Sequence, residues 1–246
     1  QFLSMCVGQI VLFKGKHAVK VRLWGWKFKG RIVRDIYAVG APAILMQSIA
    51  SIMQFGMNII LGTLTETAVA VMGVYGRLQS FIFMPVFGLN NGVIPIVAYN
   101  YGAQKRDRVL SAIRHVITYA VVIMILGLVI FQTMPDKLLM MFSASETMLA
   151  IGVPALRTIS LSFLLAGFCI AAGSVFQALG KAVFSMIVSI MRQLFVLVPA
   201  AYILASIGGL HAVWWSFPIA EVISLIISAI FLISINRTVI QKIPEE

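Results

Sequence analysis

Cysteine is nearly absent from this 246-residue sequence, and its two copies, Cys6 and Cys169, lie inside apolar runs. They form no disulfide framework and no CxxC metal or redox pair. Histidine is as scarce: His17, His115 and His211 are scattered. No HExxH, GxSxG or Walker sequence occurs, so no catalytic residue, metal ligand set or P-loop is expected. An enzyme is therefore not expected. Charge is also scarce, at 11% of residues against 61% hydrophobic. A soluble domain of this length shows more than twice that share of charge. The apolar residues exceed what one soluble core can hide, and lipid is the expected solvent.

What the sequence has is long apolar runs. Spanning the hydrocarbon takes about 20 such residues. Six runs qualify, near 40–62, 67–99, 112–134, 150–178, 182–206 and 211–235. Gly62, Pro135, Gly180 and Gly208–Gly209 fall between them. The expected fold is an all-α integral membrane protein with a six-helix bundle over 40–236 and a cytoplasmic tail over 237–246. A further run, 1–13, is too short to cross. It is expected to be the end of a truncated helix of a longer protein.

Net charge is +11, and it is clustered. The segment 14–39 holds Lys14, Lys16, Lys20, Arg22, Lys27, Lys29, Arg31 and Arg34, interleaved with Trp24, Trp26 and Phe28. We expect a cytoplasmic amphipathic linker lying on anionic headgroups, with no nucleic-acid partner. With six spans, Lys105, Arg106, Arg108, Arg114, Lys181, Arg237 and Lys242 fall on the linker's side, and Lys137 on the other. That asymmetry puts the linker inside. The expected location is a plasma membrane, crossed several times.

Polar groups are costly in lipid, so those within the spans are informative. Gln47, Ser51, Gln54 and Asn58 follow spacings of four, three and four along one helix face. The segment PVFGLNNGVIP, 85–95, combines Pro85 and Pro95 with Asn90 and Asn91. The prolines free backbone carbonyls and predict kinks. Gly88 and Gly92 share a face and predict close helix contact. Gln47, Asn58, Gln79, Asn90 and Asn91 are the candidate lining of a polar cavity. Arg77, Arg192 and Glu221 are the candidate intramembrane charges. Arg192 and Glu221 both fall near mid-membrane on consecutive spans, about four residues or roughly 6 Å apart in depth, which a long arginine side chain can bridge and which predicts a direct or water-bridged pair.

Three stretches carry a resemblance. Residues 75–109, YGRLQSFIFMPVFGLNNGVIPIVAYNYGAQKRDRV, look like the eighth-helix region of the multidrug and toxic compound extrusion family. Residues 175–204, VFQALGKAVFSMIVSIMRQLFVLVPAAYIL, resemble the turn between its tenth and eleventh helices. Residues 211–232, HAVWWSFPIAEVISLIISAIFL, resemble its twelfth. The resemblance covers nearly all of the chain from Gly40. It implies twelve helices in two six-helix bundles, of which this chain would be the second. A first bundle of the same protein would be its partner. It also implies secondary active export of cationic or amphipathic compounds, in antiport with H+ or Na+, by alternating access in a bacterial inner membrane. No cofactor beyond that ion is implied. Several members carry a carboxylate in the seventh and tenth helices. Here those helices offer Gln47 and Asn58, and no acid from 151 to 178. This departure points to coupling carboxylates in a first bundle. The rival reading is a flippase for lipid-linked precursors on a related two-bundle fold, which would need a strongly basic cavity.

Overall fold

The computed structural model describes residues 29–243. The side chains of Asp35, Ile36, Ala38, Val39, Pro42, Ala43, Met46 and Gln47 lie outside the described set. So do the expected helix end at 1–13 and most of the basic linker. The chain divides into two units, residues 1–40 and 41–246. The second holds the core and the cavity described below.

The described residues are helical. Helix α1 is Gly30–Leu64, α2 Glu66–Gly102 and α3 Arg106–Thr133. A short α4, Pro135–Met140, leads to α5, Glu146–Ser160, and α6, Phe163–Ala178. Then come α7, Ala182–Ile190, a π-helical segment Met191–Leu197, α8, Val198–Val213, and α9, Ser216–Thr238. A single 3-10 turn, Ile240–Lys242, follows. Helix α2, helix α3, the helical stretch Ala182–Val213 and the stretch Ser216–Lys242 are long and apolar enough to cross a membrane. The pair α5 and α6 passes the same test together, bent by 49°. Within α1, Ser48–Leu64 is a shorter apolar helix.

Local sequence explains the ends. The Thr65 hydroxyl accepts from the Thr67 amide at 3.3 Å, and Glu66 sits in the first turn of α2. Ser145 caps α5 in the same way, accepting from the Met148 amide at 3.3 Å, with Glu146 beside it. Both caps satisfy amides that a helix start leaves open, and the acids complement its dipole. Gly180 turns with φ +73°, a conformation that costs glycine little.

Two details differ from the sequence-based expectation, and one expected break is found. The run 150–178 is two helices, broken at Leu161–Ser162. The freed Arg157 carbonyl accepts from Gln132 Nε2 on α3 at 2.7 Å and from Ser160 Oγ at 3.0 Å. The break expected at Gly208–Gly209 is there: Gly209, at φ +64° and ψ −155°, leaves the helical region and kinks the chain within α8, and a second turn follows at Trp214, which is fully buried. Finally, Gly88 and Gly92 make no close contact among the described residues, where a Cβ at either would meet nothing within 4 Å. They lie on the exposed side of α2. The close approach is made by Gly167 on α6. A Cβ there would sit 2.9 Å from Met124 Cγ and 3.1 Å from the Ala120 carbonyl oxygen.

Helix α6 is the hub, packing on α2, α3, α7 and α9. Its small residues Ala166, Gly167, Ala171, Ala172 and Ser174 are all buried. Small side chains let backbones approach where lipid supplies no hydrophobic drive. At its start, Phe163 meets Phe83 and Phe131 edge-on, with ring centres 5.3 and 5.0 Å away. Outside, Phe55, Phe81, Met84 and Ile207 are largely exposed, a surface suited to lipid.

Candidate functional site

Helix α2 runs as one continuous helix through Pro85 and Pro95, both on its exposed side. Its other side carries Gln79, Phe83, Phe87 and Asn90 to the wall of a cavity of about 500 Å³, with Asn91 at the edge. The facing walls come from α6, α7, the π segment and α9. The cavity lies on a seam between helices, and amides and hydroxyls dominate its polar lining.

Asn90 is buried and committed. Its Nδ2 donates to the Ile170 carbonyl at 3.3 Å, and its Oδ1 accepts from Ser174 Oγ at 3.4 Å. It pins α2 to α6. Asn91 is exposed, and Gln79 is half-buried. Asn58 is half-buried, and its Oδ1 accepts from Gln54 Nε2 at 3.3 Å. It lies outside the cavity lining, where α1 contributes Ala50 and Met53. The Gln47 side chain lies outside the described residues. Arg77 is exposed and also absent from the lining.

Arg192 and Glu221 meet directly. Arg192 Nη1 donates to Glu221 Oε1 at 2.7 Å. The arginine side chain is 25% exposed and the glutamate 10%. Arg192 lines the cavity, and Glu221 sits behind it. The π segment positions the arginine. Its last turn closes with the Val198 amide on the Gln193 carbonyl, five residues back. Pro199 follows and offers no amide to the preceding turn, which favours such a loosened ladder.

Sequence reasoning missed several residues here. Ser224 and Ser228 follow Glu221 at spacings of three and four, so all three share one face of α9. Both are fully buried and line the cavity. Glu221 Oε2, Ser224 Oγ and Ser228 Oγ have no hydrogen-bond partner among the described residues. That spacing was visible in the sequence. Gln177, Ser185 and Ser189 also line the cavity, and no periodicity marks them. Ser185 Oγ donates to the Gly173 carbonyl at 2.8 Å, tying α7 to α6.

Comparison with known proteins decides the family. The MatE family model matches residues 42–203. The chain belongs to the MatE family. Multidrug export protein MepA of Staphylococcus haemolyticus is 28% identical over 212 residues, 86% of this chain and 46% of the relative. Multidrug export protein MepA of Staphylococcus saprophyticus is 30% identical over 192 residues, 78% of this chain and 42% of the relative. Among solved structures, the MATE multidrug transporter DinF-BH is similar at 31% identity and a TM-score of 0.82. The match covers 94% of this chain and 52% of that one. The chain thus spans about half the length of the curated relatives it matches. These relatives are named as transporters. This MatE chain is a helical, multi-pass membrane protein, the family and fold class that the sequence resemblance implied.

Proposed function

We propose that the full-length protein is a multidrug efflux transporter of a bacterial inner membrane. It exports amphipathic compounds in antiport with H+ or Na+. This chain supplies one of its two bundles, and a first six-helix bundle supplies the other wall. Alternating access comes from rocking one bundle against the other around the cavity. The observation that carries this reading is the cavity, held between helices of a membrane bundle and lined by amides, hydroxyls and aromatic rings. Neutral amides bond donors or acceptors alike, and Phe83, Phe87 and Phe176 offer apolar surface to varied cargo. Glu221 is the one acid between residues 151 and 244, so a coupling carboxylate in the other bundle remains the expectation. The flippase reading needed a strongly basic cavity, and Arg192 alone does not make one.

The test is dye accumulation in cells stripped of their own pumps. The full-length protein should lower steady-state accumulation of amphipathic dyes, ethidium among them. Unchanged accumulation across several dyes, at verified expression in the membrane, overturns the reading.

A further inference from the structure

The charge of the cavity wall is one-sided. Among the described residues, Arg192 is the one charged residue in its lining, and no carboxylate lines it. Glu221 balances that charge from behind and takes a single N–H, at 2.7 Å. A guanidinium offers five donors in a rigid fork. Among the described residues it makes no other hydrogen bond. Its remaining donors are not sealed in either, since the side chain keeps 25% exposure. They are open to the cavity.

From this geometry we infer that the cavity selects amphipathic cargo by an acceptor group, foremost a carboxylate or sulfonate, which docks on Arg192. The inference rests on the efflux reading and names its substrate class. A cargo's cationic centre finds no fixed counter-charge on this wall, only neutral amides and hydroxyls. An anionic or strongly accepting group finds charge-assisted donors in a site partly shielded from water, where such bonds are strongest. Gln193 follows Arg192 on the π segment and lines the same wall, adding a neutral amide beside the fork. Phe83, Phe87 and Phe176 take the apolar body of the cargo. Glu221 acts through Arg192 as a positioning residue. It holds one edge of the fork and turns the rest outward. The volume, about 500 Å³, lies within the range of small-molecule sites.

The experiment uses two rhodamine probes that differ at one group, an ethyl ester and its free carboxylic acid. The ester is a cation; the acid is a zwitterion with the same ring system. Binding to purified full-length protein is followed by fluorescence polarisation. The acid should bind about ten-fold more tightly, the worth of one charge-assisted bond. The paired variant Arg192→Gln with Glu221→Gln keeps the site neutral and should bring the ratio of affinities to about one. Arg192→Lys keeps the charge, loses the fork and should give an intermediate ratio. Equal binding of acid and ester to the unmodified protein overturns the inference, whether or not any variant folds. So does a paired variant that keeps the preference. A protein that exports the ester without preferring the acid keeps the efflux reading and loses this one. A protein that neither binds nor exports either probe loses both.

Discussion

The pair between Arg192 and Glu221 should be a coupled unit, and a double-mutant cycle can measure the coupling. The contact is 2.7 Å long, and both side chains are mostly buried. Two unit charges about 4 Å apart attract by roughly 4 kcal/mol at an effective dielectric of 20. Desolvation offsets much of that gain. Removing one partner is different, because the survivor keeps its desolvation cost and loses its counter-charge. Such breakage costs about 3–5 kcal/mol. In a chain of this size, each kcal/mol moves the melting temperature by roughly 2–4 °C. A single variant should therefore melt about 6–20 °C lower in detergent. Arg192→Gln should be the worse of the two. It strands a carboxylate that is 10% exposed and whose Oε2 already lacks a partner. Glu221→Gln leaves an arginine that can still reach the cavity, with an amide oxygen to bond. The double variant should melt no lower than the worse single, and the charge swap should melt above it. The assay is tryptophan fluorescence during heating, with the buried Trp214 as one reporter. If the two single losses add in the double variant, the residues are independent and the reasoning fails.

Two further outcomes test the packing. Gly167→Ala should destabilise by about 1–3 kcal/mol, the usual cost of overpacking, because the new methyl meets Met124 and the Ala120 carbonyl; a melting temperature equal to that of the unmodified protein would show that α3 and α6 part freely. Gln132→Leu removes the amide that serves the Arg157 and Ser160 oxygens at 2.7 and 3.0 Å. It should cost about 1 kcal/mol and speed hydrogen exchange at the α5–α6 break. Unchanged exchange there would mean that Gln132 does not support the bend.

The sequence by itself determined the solvent, the class of fold and the family. Apolar runs of about 20 residues have few alternatives to helices in lipid, because every backbone group must be satisfied within the segment. It also placed Arg192 and Glu221 within roughly 6 Å of each other in depth, since helical rise turns residue counts into distances. What it left open was which faces meet. Periodicity groups Gln54 with Asn58, and Asn90 with its neighbours, but a polar stripe can close on itself or face a cavity. Asn58 bonds Gln54, whereas Asn90 ties α2 to α6 at the cavity wall. Glycine spacing marks a face able to approach another helix, not whether one is there. Among the described residues no helix meets Gly88 and Gly92, while Gly167 touches α3. The break at Leu161–Ser162 and the π segment were also decided by neighbours. At the first, the carbonyl of Arg157 is served by the nearby Ser160 hydroxyl and by the distant Gln132, a partner that local sequence does not name.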